Sequence, residues 1–181
     1  EQGTGTVLSS QETLNGIVGL GYETSDKLTE INATFGDKYE LVTPEPSNKN
    51  GNYTREEQTV TYYYQKKESK VVIIHVDSET VITDPETVTD VLYPTEEKTG
   101  RVDDLYNSVE RTEEINATSN YKYALDHVIG NANGNFAVDT IYVIYVYAKQ
   151  DTVLYIKHVD VVTGEELDED KKEWYTDILK I

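Results

Sequence analysis

Two short His-x-Asp patterns have a spacing that could support chemistry. They are His75-Val76-Asp77 and His158-Val159-Asp160, and each ends an apolar run that predicts a β-strand. Residues i and i+2 of a strand share one face, so each pair could ligate a metal ion or form a histidine–carboxylate dyad. The sequence has only 3 histidines, and no third ligand is spaced nearby. We therefore favour a structural role, in which histidine replaces an aromatic residue and aspartate opens the following turn.

Other catalytic and metal-binding patterns are missing from the sequence. The acidic runs Asp77–Glu86 and Glu165–Asp170 could supply oxygen ligands to Ca²⁺, but neither has the spacing of a calcium-binding loop. There is no cysteine, and no serine lies in a G-x-S-x-G pattern. A glycosidase carboxylate pair stays open as an alternative, although small modules rarely form a deep cleft. We predict a protein that is not an enzyme and has no catalytic, cofactor or metal site, with Ca²⁺ as the alternative.

The charge narrows the possible partners. The 181 residues include 34 acidic and 16 basic side chains, for a net charge of −18. Nucleic acids and anionic membranes attract clustered lysine and arginine, so this balance argues against both, and no apolar run is long enough to cross a bilayer. The 15 tyrosines, against 2 phenylalanines and 1 tryptophan, suit thin β-domains whose faces are half buried.

The sequence repeats itself with a period of 83 to 84 residues. The tetrapeptide Ile-Asn-Ala-Thr occurs at 31–34 and again at 115–118, and further matches keep this register. The matches include Asn50-Gly51-Asn52-Tyr53 with Asn133-Gly134-Asn135-Phe136, Val60/Tyr62/Tyr64 with Val143/Tyr145/Tyr147, and the two His-Val-Asp patterns. We predict a first module at 1–68 that lacks its first strand and a whole module at 69–150. Residues 151–181 are then the first strand and loop of a third module, or a packed C-terminal extension.

The pattern of each module predicts strands at its ends and one short helix between them. Strands are predicted at 58–65, 70–77, 139–148 and 152–160, and each Asn-Gly pair is read as a turn. The helix is predicted at 102–115, capped by Asp103 or Asp104, with a shorter counterpart at 18–31. The asparagine of each Ile-Asn-Ala-Thr copy is predicted to end the helix in a left-handed cap. The expected fold is α+β and β-rich, with tandem β-grasp-like (ubiquitin-like) modules arranged as an elongated rod.

The order of these motifs resembles the MucBP (mucin-binding protein) repeat of Gram-positive bacterial cell-surface adhesins. The first copy carries the resemblance in Gly16-Ile17-Val18, Tyr22, Tyr39-Glu40-Leu41, Gly51-Asn52-Tyr53 and Gln58–Tyr64. The second copy carries it in Gly100-Arg101-Val102, Tyr106, Tyr123-Ala124-Leu125, Gly134-Asn135-Phe136 and Tyr142–Tyr147.

The resemblance implies an extracellular protein at the cell surface, anchored to the cell wall through a region outside this chain. It implies a repeat fragment of an adhesin that binds host mucins or other glycoproteins through many weak contacts. The alternative is a non-binding stalk or spacer that projects another adhesive domain. Proteins contact sugars through the faces of aromatic rings and through polar side chains. The candidates are therefore aromatic residues that lie in loops or that strand alternation turns away from the core. The candidate ligand contacts are Tyr63, Tyr93, Tyr142, Trp174 and Tyr175, with a lysine patch at Lys66, Lys67 and Lys70.

The segment 152–160 repeats the first strand of the module without the remainder of a module around it. An unpaired strand edge invites pairing with another chain. We expect this segment either to extend the sheet of the second module or to exchange as a strand between neighbouring chains and complete their first module.

Overall fold

The protein is described by a computed structural model over residues 1–164 and over the backbone of 171–173. These residues form twelve strands and two α-helices, which are short apart from four strands of seven to ten residues. In chain order they are β1 Gly21–Glu23, α1 Leu28–Phe35, β2 Tyr39–Leu41, β3 Asn50–Asn52, β4 Tyr64–Lys66, β5 Glu68–Asp77, β6 Tyr93–Arg101, β7 Leu105–Asn107, α2 Thr112–Thr118, β8 Tyr123–Ile129, β9 Asn133–Asn135, β10 Ile141–Lys149, β11 Leu154–Ile156 and β12 Lys171–Glu173. The predicted α+β, β-rich class is confirmed.

The strands form one four-stranded sheet and four two-stranded ladders. The larger sheet has the order β6-β5-β10-β8, and the ladders are β1-β3, β2-β4, β7-β9 and β11-β12. The chain divides into two compact units: the first comprises 1–73, 95–109 and 130–143, and the second comprises 74–94, 110–129 and the residues from 144 onward.

Several elements of the second sequence copy have a counterpart in the first. The β1-β3 ladder of the first copy recurs as β7-β9, and α1 recurs as α2. The amide of Lys27 donates to the Tyr64 hydroxyl at 2.8 Å, and the amide of Arg111 donates to the Tyr147 hydroxyl at 2.7 Å. Since both bonds hold the start of a helix on a strand, the repeat extends to individual hydrogen bonds.

The core of each unit is built mainly of β-branched residues and tyrosine. In the first unit, Ile31, Tyr39 and Tyr64 form a buried cluster against which Leu8 and Leu28 pack. In the second unit the consecutive residues 144–147 of β10 are all buried. A run buried on both faces of a strand is typical of the interior of a sheet, and β10 lies between β5 and β8.

The predicted helix at 102–115 is wrong. Asp103 has a left-handed φ of 72° and caps no helix, and β7 occupies the middle of the predicted span. The helix begins at Thr112, in the position where α1 begins at Leu28 in the first copy. The apolar spacing that suggested a helix mixes buried Val102 with exposed Leu105, so it never formed a single face.

The Ile-Asn-Ala-Thr copies lie inside the helices, so the predicted left-handed asparagine cap is also wrong. The left-handed residue after α1 is Gly36, with φ 78°, whereas α2 ends at Ser119 in an extended conformation. Each isoleucine of the tetrapeptide is buried in the core. Each asparagine side chain instead binds the backbone of the tyrosine that starts the next strand.

Two strand predictions also need correction. Of the predicted strand 58–65 only the end is formed, as β4, while the Asn-Gly pairs belong to strands β3 and β9 instead of turns. The segment 152–160 does not extend the four-stranded sheet, because its strand β11 pairs with β12. Strand exchange through this segment stays a prediction.

Candidate functional site

An open groove of about 480 Å³ lies beside the β7-β9 ladder and combines apolar and amide side chains. Strands β6, β7 and β9 supply most of its walls. The residues that line it are Lys98, Thr99, Leu105, Tyr106, Asn107, Asn133, Gly134 and Phe136. All of them belong to the first compact unit.

Two aromatic rings form a fixed floor for the groove. Tyr106 and Phe136 are buried, and their ring centroids lie 5.5 Å apart. Tyr106 pairs with Gly134 across the ladder, and a Cβ on Gly134 would come within 3.2 Å of the Tyr106 hydroxyl oxygen. The Tyr106 hydroxyl donates to the Asn131 carbonyl at 3.0 Å. Glycine is therefore favoured where the ring crosses the opposite strand, because a larger residue would have to displace the ring slightly.

The rim carries groups that can contact a ligand. Leu105 is 81% exposed, and Asn107 and Asn133 present exposed amide side chains opposite one another on the ladder. The Lys98 ammonium donates to the Asn107 carbonyl at 2.5 Å, which places a cation on the same rim. An apolar side chain flanked by amides and an ammonium can cover the C–H face of a sugar and hydrogen-bond its hydroxyl groups.

The first copy has the same frame with a different rim. Tyr22 pairs with Gly51 across the β1-β3 ladder, and the Tyr22 hydroxyl donates to the Asn48 carbonyl at 3.1 Å. In this copy, however, Gly21 and Glu23 replace Leu105 and Asn107, and Leu14 replaces Lys98. A carboxylate and a glycine replace the amide and the apolar side chain, so the β1-β3 and β7-β9 ladders present different surfaces to a ligand.

The groove contains none of the six predicted ligand contacts that lie within the described residues. Tyr63 is exposed, and Tyr142 is half-buried in β10. Tyr93 packs edge-on against His75 with ring centroids 5.5 Å apart, and the Arg111 guanidinium lies 5.4 Å from the centroid of the Tyr93 ring. Trp174 and Tyr175 lie outside the described residues. A contact role for these aromatic residues stays a prediction.

Each lysine of the predicted patch is paired with a carboxylate. Lys66 lies 3.1 Å from Asp103, which also accepts from Lys38 at 2.8 Å. Lys67 lies 2.8 Å from Asp37, and Lys70 lies 3.1 Å from Glu97. The hydrogen bonds from Lys38 and Lys66 hold the pKa of Asp103 below its ordinary value. The positive charge of these lysines is therefore already compensated within the chain.

The same contacts join the first sequence copy to the second. The Val102 amide donates to the Lys67 carbonyl at 3.0 Å, and the Arg101 guanidinium donates to the Lys66 carbonyl. Val102 is almost fully buried here, although its counterpart Val18 in the first copy is 58% exposed. We name the residues Lys38, Lys66, Lys67, Arg101, Val102 and Asp103 the junction cluster; it lies within the first unit.

The two His-x-Asp patterns have different environments. His75 is buried, stacks on Tyr145 at 5.2 Å, and has its Nδ1 2.9 Å from the Tyr147 hydroxyl. Burial alone would raise the pKa of Asp77, but the Glu79 amide, the Tyr123 hydroxyl and Lys149 hold that pKa below its ordinary value. His158 is exposed. Within residues 1–164, no group of three His, Cys, Asp or Glu side chains could hold a metal ion.

Sequence reasoning missed the rim of the groove because the Asn-Gly pairs were read as turns. Leu105, Asn107 and Lys98 differ between copies, whereas the tyrosine and glycine that frame the groove recur. The signal that could have identified the rim is the set of positions that differ between the two copies while the tyrosine and glycine around them recur.

Comparison with known proteins agrees with the repeat. The model of the MucBP domain family matches residues 1–65 and 70–148. Internalin J of Listeria monocytogenes serovar 1/2a is 35% identical over 150 residues, which cover 81% of this chain and 15% of that protein. Internalin J of Listeria monocytogenes serotype 4b is 33% identical over 164 residues, which cover 87% of this chain and 15% of that protein.

The chain thus spans about 15% of the length of these curated relatives. Among the described residues, no helix has the length and hydropathy needed to span a bilayer. The family match covers both sequence copies, in agreement with the resemblance found in the sequence. The chain therefore belongs to the MucBP domain family of Gram-positive surface-protein repeats, of which it carries two matches in tandem.

Proposed function

We propose that the chain is a repeat segment of a bacterial surface adhesin that binds glycans of host mucins or other glycoproteins, and that the groove beside β7-β9 is its contact site. The proposal is supported mainly by the rim of that groove, where exposed Leu105 lies two residues before Asn107 on β7 and the amide of Asn133 lies opposite Asn107. This composition matches the alternating apolar and polar surfaces of a sugar. The family and its surface relatives support an adhesive role outside the cell.

The binding strength of one groove is modest. The groove is open and shallow, so a bound sugar keeps much of its hydration, and affinity rises mainly when many repeats engage one mucin chain. The net charge of −18 opposes sialylated and sulfated glycans, while Lys98 is the single cation on the rim. Neutral glycans are therefore the expected ligands at low salt.

A glycan array and retention on immobilised mucin test this function. Asn133→Ala removes a rim amide in the second copy, and Asn50→Ala makes the same change in the first copy, where the rim lacks the leucine. We expect Asn133→Ala to weaken retention several-fold and Asn50→Ala to leave it nearly unchanged. Absence of binding to every neutral and anionic glycan at millimolar concentration would contradict the proposal, as would equal retention of both variants.

A second candidate is a spacer that projects another adhesive domain without binding a ligand. The junction cluster favours it, because two ion pairs on Asp103 and the buried Val102 hold residues 102–103 of the second copy against the first copy. The absence of cysteine allows dyes to be placed on Glu23→Cys and Asn107→Cys, both exposed and both in the first unit. A spacer predicts one narrow dye-to-dye distance that broadens in Asp103→Asn, with no retention of the unlabelled wild-type chain on mucin.

A further inference from the structure

The core of the second unit contains one histidine. His75 lies in β5, and its exposed fraction is 0%. Its ring stacks on Tyr145 with the centroids 5.2 Å apart and the planes 9° apart, and it packs edge-on with Tyr93 at 5.5 Å. Histidine is the side chain that ordinarily changes charge between pH 5 and 8, and burial disfavours its charged form. The core of this unit therefore holds a group whose protonation would place a charge among aromatic rings.

The Tyr147 hydroxyl connects this ring to the start of helix α2. Its oxygen accepts from the Arg111 amide at 2.7 Å, and it lies 2.9 Å from Nδ1 of His75. Arg111 is the residue just before α2. Burial raises the pKa of Tyr147 to about 12, so the hydroxyl keeps its hydrogen at neutral pH. Within residues 1–164 these two are the polar contacts of the hydroxyl, so Nδ1 is the acceptor for that hydrogen.

One protonation state of His75 satisfies both contacts of the hydroxyl. A tyrosine hydroxyl donates one hydrogen, and its oxygen can accept at the same time. Because the oxygen accepts from the Arg111 amide, the hydrogen can bind His75 when Nδ1 carries no proton. The neutral ring with its proton on Nε2 meets this condition. A proton on Nδ1 would aim two donors at one oxygen and leave the buried hydroxyl hydrogen without an acceptor, which is costly.

Two charges beside the histidine, at the start of α2, have opposite signs. The Arg111 guanidinium lies 5.4 Å from the centroid of Tyr93, whose ring packs on the histidine. The Glu110 carboxylate accepts from the hydroxyl and amide of Thr112, and it lies within electrostatic range of the histidine. Arg111 opposes a positive charge on the ring and Glu110 favours one. The two effects partly offset each other, so burial decides in favour of the neutral ring.

The carboxylates near the histidine keep their charge at mildly acidic pH. Asp77 lies two residues further along β5, on the same side of the strand. Burial would raise the pKa of Asp77, but the hydrogen bonds to its carboxylate hold that pKa below its ordinary value. Hydrogen bonds from Thr112 likewise hold the pKa of Glu110 below its ordinary value. A response of this unit between pH 7 and pH 5 therefore reports on histidine and not on these two carboxylates.

We propose that His75 is an acid-sensitive latch on helix α2. In its neutral form it accepts from the Tyr147 hydroxyl, which in turn holds the Arg111 amide at the start of the helix. When the ring takes up a proton, Nδ1 becomes a donor, the hydroxyl loses its acceptor, and a charge lies in the core. Separation of the helix start from β10 relieves both effects, because water then reaches the ring. Acid thus opens the second unit locally, independently of the groove in the first unit.

Hydrogen exchange of the Arg111 amide at pH 7 and pH 5, corrected for the intrinsic pH dependence of exchange, tests the latch. If the closed form stays neutral and the opened form binds a proton with the ordinary histidine pKa of about 6.5, the opening equilibrium rises about 25-fold over this range. The Lys27 amide is the internal reference, because it makes the same bond to the Tyr64 hydroxyl without a histidine on that hydroxyl. An equal rise at both amides, or no rise at Arg111, would overturn the proposal.

His75→Gln removes the titrating ring and keeps a side chain that can accept from a hydroxyl. We expect the corrected exchange of the Arg111 amide in this variant to be the same at pH 7 and pH 5. His127→Gln, which changes an exposed histidine of the same unit, is the matched control and should keep the rise of about 25-fold. An acid response in His75→Gln as large as that of the wild type would assign the response to another group and overturn the proposal.

Nitrogen-15 NMR of the imidazole ring in the wild-type chain gives a second measurement that does not depend on a variant. At pH 7 we expect the proton of His75 on Nε2 and none on Nδ1. As the pH falls, charging of the ring should coincide with loss of protection at the Arg111 amide. A proton on Nδ1 at pH 7, or a ring that becomes charged while the Arg111 amide stays protected, would contradict the latch.

Discussion

The side chain of Asn116 forms two hydrogen bonds with the backbone of Tyr123, one with its carbonyl and one with its amide. Its Nδ2 donates to the Tyr123 carbonyl at 2.9 Å, and its Oδ1 accepts from the Tyr123 amide at 2.6 Å. In the first copy, Asn32 makes the same pair of bonds to Tyr39, at 2.9 and 2.8 Å. The repeated asparagine thus gives the first residue of a strand the partners that a neighbouring strand would supply.

Asn116→Ala should destabilise the second copy. The variant loses two hydrogen bonds and leaves the partly buried donor and acceptor of Tyr123 unmatched, at a cost of about 1–3 kcal/mol. Urea unfolding followed by circular dichroism measures the change. Asn120→Ala, on an exposed residue just after the helix, is the control, and equal losses in the two variants would contradict this role.

Tyr147→Phe should cost more stability than Tyr64→Phe. Both variants remove the hydroxyl that accepts from a helix-start amide, but Tyr147 also meets His75 Nδ1 at 2.9 Å. The expected loss is about 1–3 kcal/mol for Tyr147→Phe and about half of that for Tyr64→Phe. Thermal unfolding of the two variants provides the comparison, and a larger loss for Tyr64→Phe would show that the histidine contact contributes nothing.

The second unit should lose stability at alkaline pH. Burial raises the pKa of Tyr147 to about 12, and burial with the hydrogen bond to Asp77 raises the pKa of Tyr123 to about 12. Their contribution is complete below the ordinary tyrosine pKa of 10.0 and is lost as the pH rises through 12. Burial also raises the pKa of Tyr39 and Tyr64, so an ultraviolet titration of tyrosinate should show several late-ionising groups, and Tyr123→Phe should remove one of the latest.

Asp103→Asn should loosen the junction cluster at neutral pH. Asparagine tolerates the left-handed φ of 72°, so the variant removes the charge without straining the turn. Two partly exposed ion pairs are worth about 1 kcal/mol together. Because the folded-state pKa of Asp103 is depressed, its contribution is present above the ordinary value of 3.8 and is lost as the pH falls through the lower folded value.

Stability measured from pH 7 to pH 2 tests this dependence. The difference between wild type and Asp103→Asn should shrink at acidic pH. Asp37→Asn is the matched control, since Asp37 also has a left-handed φ, of 61°, but pairs with one lysine alone. A wild-type advantage that persists unchanged at pH 2 would rule out the ion pairs as its source.

Gly100→Ala should damage the floor of the groove. A Cβ on Gly100 would overlap the Phe136 ring, so the ring or the strand must move, at a cost of about 1–3 kcal/mol. Glycan retention should fall with it, because Phe136 lies under the rim. Thr99→Ala, on the neighbouring exposed residue, should leave stability unchanged. A Gly100→Ala variant with full stability and retention would show that the floor is not rigid.

The helix predicted at 102–115 shows why the local spacing of apolar residues misplaced this element, which begins at Thr112. Val102, Leu105 and Val109 have helical spacing, but Tyr106 pairs with Gly134 across the ladder, and Asp103 turns the chain before it. These constraints come from residues about thirty positions away, so propensity over a local window could not include them. The start of the helix is instead set by a hydrogen bond from Arg111 to Tyr147, a contact between distant parts of the sequence.

The sequence by itself determined the repeat, the family and the β-rich class, because these depend on residue types that recur at a fixed period. Only the tertiary structure decided which residues share a surface. It paired Lys66 and Lys67 with carboxylates from other loops, brought Lys98, Leu105 and Asn133 to one rim, and left Tyr63 exposed. Such groupings depend on contacts between segments that are dozens of residues apart in the sequence, and a periodic pattern along the chain does not specify those contacts.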